Sequence, residues 1–216
     1  MLKLRFWHRL LALLIGSQLL LWALSGTYMV AFDIDFIRGK TWVTPPQYQL
    51  QLSQVQQRWP TLNPDESVQL LPGLRGPYFQ ISGSQRRAIS AHTGQPLTLI
   101  PQAQIETLAR QSFNGKATIA ATRLIDKNPP SELGRRPLPI YAVAFNGVSQ
   151  PTLYFDGYSG QLVTQRHHYW RGFDLLWRLH IMDYFGDRGP QTPWLALVTF
   201  CSLLLSISGL LLWRRR

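Results

Sequence analysis

The chain has 216 residues, carries a formal net charge of +11 and contains one cysteine. This length allows one domain or two very small ones, and a single cysteine excludes both an intrachain disulfide and a cysteine-based metal site. Basic residues at positions 3, 5, 9 and 214–216 supply more than half of the net charge. A basic excess held at the two ends of a chain argues against nucleic-acid binding, which needs a continuous basic surface.

The first apolar segment spans residues 10–32, LLALLIGSQLLLWALSGTYMVAF, and follows the basic residues 1–9. As a helix it is about 34 Å long, enough to cross a hydrocarbon core of about 30 Å. A cleaved signal peptide is the alternative, because ALSG at 23–26 would be an acceptable cleavage context. We expect a retained transmembrane helix, since the segment is longer than the apolar part of a signal peptide.

A second uncharged segment, residues 194–213, also has the length of a transmembrane helix and is bordered by Trp194 and Trp213 as interfacial anchors. Residues 214–216, like residues 1–9, are rich in Lys and Arg. The positive-inside rule therefore predicts that both termini are cytoplasmic. The sequence between the two segments would then lie in the periplasm of a Gram-negative bacterium, and the chain would be a two-span protein of the inner membrane.

The region after a juxtamembrane linker at 33–45 contains two similar successions of elements. In the first, residues 46–100, apolar side chains at spacings of three and four predict a helix, which Pro60 ends. Three strand patterns follow at 67–71, 78–82 and 88–91, and HTGQPL predicts a turn into a last short strand. The apolar helical positions are Tyr48, Leu52, Val55 and Trp59.

In the second succession, residues 101–166, Pro101 opens a predicted helix, and strand patterns follow at 117–125, 139–145 and 151–156. GYSGQLV ends it as HTGQPL ends the first, and the turn glycines Gly94 and Gly160 are 66 residues apart, which indicates a tandem duplication. The loop 126–139 occurs only in the second copy and is interpreted as an exposed insertion. The apolar face of this helix comprises Ile105, Leu108, Ala109 and Phe113.

Residues 167–187 are predicted to form an amphipathic helix on the outer membrane surface, in which His180 faces lipid or a partner helix. The fold class expected for the whole chain is α+β: two transmembrane helices flank a tandem domain, each copy a helix plus a three-stranded antiparallel sheet. The residues that share the face of His180 are Trp170, Phe173, Trp177, Ile181 and Tyr184.

The segment YAVAF…PTLYFDGYSGQLV resembles the PepSY motif, a strand pair that leads into an Asp-x-x-[Ser/Thr]-Gly turn. We expect Asp156 to shape this turn before Gly160 through an Asx-type hydrogen bond, and in the first copy Ala91 is taken to occupy the place of Asp156. FWHRLLALLIG…ALSGTYMVAF and LLWRLHIMDYFGDRG…SGLLLWRRR resemble the helices of PepSY-associated transmembrane proteins. The chain is similar to a small, two-span member of that family, whose larger redox members have four spans.

The resemblance to reductase members of the family implies axial ligation of haem b, for which His8 and His180 are the candidate residues. Because they lie at opposite membrane edges, about 30 Å apart, one haem cannot take both, and bis-histidine ligation needs a homodimer or another membrane protein. The alternatives are an interfacial His8 and a packed or hydrogen-bonded His180. His92, His167 and His168 are interpreted as turn and linker residues, and no metal other than haem iron is expected.

Small residues in the two apolar segments would allow close helix packing, either within the chain or in a dimer. They are Gly16, Ser25, Gly26, Ser206, Ser208 and Gly209.

The sequence has no glycine-rich phosphate loop, HExxH or Gly-x-Ser-x-Gly motif, which argues against an independent hydrolase. Asp33 and Asp35 are interpreted as a solvated turn rather than a carboxylate pair. The first functional hypothesis is an accessory or electron-transfer component of a membrane redox or iron/siderophore-handling system. If it is an enzyme, it is part of a haem-dependent membrane reductase. The second is a non-catalytic periplasmic module that binds a peptide or protein, or regulates a peptidase. The expected partners include membrane lipid but no nucleic acid.

Overall fold

The computed structural model of the protein describes residues 2–56, 59–183 and 192–214. The chain divides into a helical unit, Met1–Ile37 with Tyr169–Arg216, and an extramembrane unit, Arg38–His168. The described helices are α1 (Leu2–Ala31), α2 (Ile34–Ile37), α3 (Gln102–Ser112), α4 (His168–His180) and α5 (Pro193–Trp213). The described strands are β1 (Ser67–Leu71), β2 (Tyr78–Ser82), β3 (Arg87–Ser90), β4 (Ile119–Ile125), β5 (Ile140–Phe145), β6 (Thr152–Asp156) and β7 (Leu162–Arg166).

In the helical unit, α1 and α5 pack against each other. Both are long and apolar enough to cross a membrane, over Arg5–Ala31 and Pro193–Trp213. Helix α5 begins where the Thr192 side chain accepts a hydrogen bond from the Leu195 amide, with Pro193 in the first turn, where its missing amide proton costs nothing. The prediction of a membrane protein with two apolar helices around a mixed α+β domain is confirmed.

Helix α4 is shorter than the predicted element at 167–187: it ends at His180, and a turn with buried Ile181 and Met182 follows it. Residues 184–187, including Tyr184, lie outside the described residues. It packs on α1 at Gly172, where an added Cβ would lie 3.1 Å from the Tyr28 hydroxyl oxygen. That hydroxyl donates to the Tyr169 carbonyl at 3.1 Å. The absence of a side chain at residue 172 thus lets α4 approach α1 closely.

The extramembrane unit contains two antiparallel sheets, of order β1-β2-β3 and β4-β5-β6-β7. Helix α3 buries the predicted face, with Ile105 and Ala109 fully covered, against the inward residues of β5 and β6, including Val143 and Phe155. The alternation of the strands places these apolar side chains on the face toward α3. This cluster is the main core of the unit.

The prediction of a helix from residue 46 to Trp59 is wrong. The described part of this segment is extended apart from a single 3-10 turn at Leu52–Gln54, and both flanking residues, Gln51 and Val55, have β conformation. An amphipathic helix of this length gains its stability by packing its apolar face. Here Leu52 is 69% exposed and Trp59 is 60% exposed, so no core surface supports a helix.

The second copy has four strands rather than three, because the chain continues after its turn as β7. At the same point in the first copy, the chain forms only an isolated bridge between Ile89 and Pro96. The equivalent pair in the second copy, 66 residues later, is Phe155 and Leu162, which belongs to a full ladder. Proline has no amide proton to donate to a ladder, so Pro96 ends the pairing that Leu162 continues.

The interpretation of the loop 126–139 as a merely exposed insertion is also wrong. It contains a 3-10 turn at Ser131–Leu133 whose Leu133 side chain is fully buried. Leu133 packs with Ile140 and Tyr154 on the face of the second sheet that is opposite to α3. The insertion therefore supplies a small second core.

Candidate functional site

His180 ends α4 with its ring against α1. Its Nδ1 lies 2.8 Å from the hydroxyl oxygen of Ser25, which in turn donates its only proton to the backbone carbonyls of Leu21 and Trp22, at 2.8 and 3.2 Å. A hydroxyl whose proton is already donated can only accept. The tautomer that agrees with these contacts has the proton on Nδ1 of His180, which donates to Ser25, and the lone pair on Nε2.

His8, on α1, meets α5 in the same way. Its Nδ1 lies 2.8 Å from the hydroxyl oxygen of Ser208, and that hydroxyl donates to the Leu205 carbonyl at 2.8 Å. The same contacts agree with a tautomer of His8 that has the proton on Nδ1 and the lone pair on Nε2. The two histidines therefore have matching hydrogen-bond arrangements.

A glycine follows each serine, and each ring lies over it. A Cβ added to Gly26 would be 4.0 Å from Cε1 of His180, and one added to Gly209 would be 3.3 Å from Cε1 of His8. The Ser-Gly pair provides the hydroxyl acceptor and the space for the ring. The packing served by these small residues lies within the chain, whereas a Cβ added to Gly16 would meet no described atom within 4 Å.

The extramembrane unit contains the same turn in both copies, and the second copy shows its hydrogen bonds in full. Asp156 Oδ1 accepts the amides of Tyr158 and Ser159, at 3.1 and 2.8 Å, and the amide of Gly160, at φ +71°, donates to the Asp156 carbonyl. The left-handed conformation explains the glycine. Asp156 therefore makes the Asx-type contact expected from the motif.

In the first copy, Ser90 rather than Ala91 takes the place of Asp156, so the expectation for Ala91 is wrong by one residue. Ser90 Oγ accepts the amides of His92 and Thr93, at 3.3 and 3.2 Å, and the Gly94 amide, at φ +73°, donates to the Ser90 carbonyl. Both copies therefore carry the same turn, closed by a serine in one and by an aspartate in the other.

Aspartate has a second oxygen that serine lacks. Asp156 Oδ2 lies 2.5 Å from Nη1 of Arg86, which belongs to the first copy, and both side chains are nearly buried. The same guanidinium donates to the Gln80 amide oxygen and lies over the Tyr158 ring, 5.5 Å from its centroid. Burial, followed by the negative charge of Asp156, raises the pKa of the neighbouring Tyr78 above its ordinary value. The sequence pattern gave no indication of Arg86 or Gln80, since their role depends on contacts between the copies.

His167, interpreted from the sequence as a linker residue, lies between β7 and α4 and is buried. It is 1% exposed and its ring stacks on Trp42 at a centroid distance of 4.5 Å. His92 lies exposed in the turn, as expected. Asp33 caps α2 by accepting the amides of Asp35 and Phe36 at 2.8 and 3.1 Å, which agrees with a juxtamembrane turn.

The family model described as the PepSY-associated TM region matches residues 5–216. The chain belongs to the PepSY_TM family. Comparison with the curated proteins and with the solved structures gives no match. The match includes His8 and His180 and both copies of the turn, so it spans the helical and the extramembrane unit alike.

Haem, which the PepSY_TM resemblance implies, is compatible with the donor atoms of these two histidines. In the tautomer that agrees with the serine contacts, each has its lone pair on Nε2, and each ring is oriented by a hydrogen bond at Nδ1, the arrangement typical of metal-bound histidines. His8 and Ser25 are seventeen residues apart on α1, about 26 Å along the helix axis, so the two rings cannot bind one iron. Within the described residues, no cluster of three or more His, Cys, Asp or Glu side chains would hold a metal ion.

Proposed function

We propose that the protein is a haem b-binding electron-transfer component of a membrane redox system, with iron or siderophore handling as its context. It would lie in the bacterial inner membrane with both termini in the cytoplasm and the extramembrane unit in the periplasm. The observation that carries the proposal is the pair of matched histidines, His8 and His180. Each has its Nδ1 proton accepted by a serine hydroxyl, which leaves Nε2 as a ligand.

The serine contacts explain how the chain would prepare such a site. Each hydroxyl, on Ser25 or Ser208, holds its imidazole in one tautomer and one orientation. A ring fixed in this way does not have to reorient when Nε2 binds iron, which favours ligation. A haem bound there would accept and release one electron.

The proposal includes a second chain. Each histidine site offers one axial nitrogen, and the two sites are about 26 Å apart along α1. A symmetric homodimer would pair His8 with His8 and His180 with His180 and would give two bis-histidine sites. Another membrane protein that contributes the second histidine would meet the same need.

The test is the reduced-minus-oxidised absorption spectrum of the detergent-purified protein from haem-supplemented cells. We expect a b-type haem spectrum with one haem per chain, reduced by about half in His8→Ala and in His180→Ala and abolished in the double variant. His92→Ala, which alters an exposed turn histidine, serves as the matched control and should retain the full spectrum. A colourless wild-type protein, or equal loss in His92→Ala, would contradict the proposal.

A second function, binding of a periplasmic peptide or protein, is supported by strand β4. This seven-residue strand forms one edge of the second sheet, and Leu124 and Arg123 on it are exposed. An extended peptide adds to such an edge through main-chain hydrogen bonds. We expect a periplasmic partner to slow amide hydrogen exchange in β4 of the full chain, and unchanged exchange there in the presence of periplasmic extract would argue against this function.

A further inference from the structure

A cavity of about 390 Å³ lies where the first turns of α1 meet the last turns of α5. Its size falls within the range of small-molecule sites, about 300–1,000 Å³. The haem proposal does not use its two guanidinium groups. The lining residues are Arg5, His8, Arg9, Gly209, Leu212 and Trp213.

Within the described residues, no carboxylate offsets the positive charge of this cavity. Arg5 and Arg9 are four residues apart and therefore lie on one face of α1. Neither α1 nor α5 contains an aspartate or glutamate, and within the described residues neither guanidinium has a carboxylate partner. Two guanidinium groups that line one cavity suit an oxyanion such as a phosphate, which guanidinium groups bind through paired hydrogen bonds.

Apart from His8, the remaining lining is apolar, and it lies at the end of both candidate membrane helices. Leu212 and Gly209 come from the last turns of α5, and the exposed Trp213, at 73%, is typical of a membrane interface. Trp7, also exposed, is adjacent to His8 on α1. A ligand here would meet guanidinium groups on one side and hydrocarbon-like surface on the other, which suits an amphiphile with an anionic headgroup.

We infer that this cavity binds the phosphate group of an anionic phospholipid, with Arg5 and Arg9 on the phosphate and Leu212 and Trp213 along the glycerol and upper acyl chain. Basic pockets between membrane helices are suited to such headgroups. The inference does not rest on the haem proposal, but His8 lines the same cavity. It therefore concerns the haem-free chain, in which the protein alone provides the charge and the apolar wall.

The experiment is native mass spectrometry of the haem-free full chain in mild detergent, titrated with phosphatidylglycerol or with phosphatidylcholine of the same acyl chains. The wild-type protein should retain one phosphatidylglycerol in preference to phosphatidylcholine. Arg5→Gln with Arg9→Gln should weaken phosphatidylglycerol binding about 30-fold, since each basic side chain near an anionic headgroup contributes about fivefold. Arg214→Gln, compared with Arg9→Gln alone, is the matched control, because each removes one positive charge but Arg214 does not line the cavity.

A second variant separates a defined site from general surface charge. Leu212→Trp narrows the cavity and leaves every charge in place, and it should reduce the preference for phosphatidylglycerol, with helical content checked by circular dichroism. Equal binding of the two lipids by the wild-type protein, equal loss in Arg214→Gln, or full competition by millimolar inorganic phosphate would overturn the assignment. Unchanged phosphatidylglycerol binding in the double arginine variant would overturn it as well.

Discussion

Ser90 and Asp156 show at the scale of single residues how one turn acquired a second role. Both side chains accept two backbone amides in the same geometry. Only the aspartate retains a charged oxygen after that contact, and it receives Arg86 from the other copy. The carboxylate is thus both a turn former and the partner of a buried cation, which explains why the residues at this position differ between the copies.

Replacing Asp156 with serine, the residue of the first copy, should keep the turn and leave Arg86 without its counter-charge. We expect a loss of about 3–5 kcal/mol in the free energy of unfolding, because an uncompensated buried charge is costly. Ser90→Ala, which removes only turn hydrogen bonds, should cost about 1 kcal/mol. Urea denaturation of the full chain in detergent measures both.

Arg86→Met combined with Asp156→Ser provides the internal check. Removing both charges should restore much of the stability that Asp156→Ser alone loses, because the lone buried guanidinium is the source of the cost. If Asp156→Ser costs no more than Ser90→Ala, the ion pair does not stabilise the unit.

The histidine tautomers are a second consequence at this scale. In haem-free protein, ¹⁵N NMR of labelled histidine should show His8 and His180 with protonated Nδ1 and unprotonated Nε2. Ser25→Ala and Ser208→Ala should each convert the ring they contact to a mixture of tautomers, because the acceptor for Nδ1–H is removed. Ser17→Ala is the control, since the Ser17 hydroxyl donates its hydrogen bond to the Leu14 carbonyl on the same helix. A protonated Nε2 in the wild-type protein would refute the hydrogen-bond assignment.

At the scale of helices and strands, some local sequence patterns were sufficient to predict the element and others were not. Strands β1 and β2 have the predicted limits, because alternating side chains between turn residues define a strand locally. The prediction of helix α3 is also confirmed, since its apolar face packs against the second sheet. The helix predicted in the first copy is absent at Leu52 and Trp59, because these side chains have helical spacing but are exposed and face no core. Periodicity identifies an apolar face, and only tertiary packing decides whether a helix forms on it.

At the scale of the whole molecule, the sequence predicted two apolar helices around an α+β domain. The family resemblance singled out His8 and His180 as candidate haem ligands. It also selected Ser25, Gly26, Ser208 and Gly209 as small residues. It could not pair each histidine with its serine, because His8 and Ser208 are two hundred residues apart in sequence and meet only through the packing of α1 on α5. A contact between residues so far apart in sequence produces no periodic pattern from which it could be predicted.

The orientation of the molecule in the membrane is a prediction at the same scale. Alkaline phosphatase inserted in the loop at residues 129–130 should be active in a Gram-negative host, and green fluorescent protein fused after residue 216 should fluoresce, because basic flanks keep both termini in the cytoplasm. Swapping the two reporters should abolish both signals. Fluorescence from the loop insertion would place the extramembrane unit in the cytoplasm.

The two histidine–serine contacts also determine how α1 can move. His8 and Ser25 are seventeen residues apart, which on a helix of 100° per residue sets their directions about 100° apart. One points to α5 and the other to α4. Turning α1 by one residue, or sliding it by about 1.5 Å, would break both hydrogen bonds together. Helix α1 is therefore held against rotation and translation at two points along its length, by two different helices.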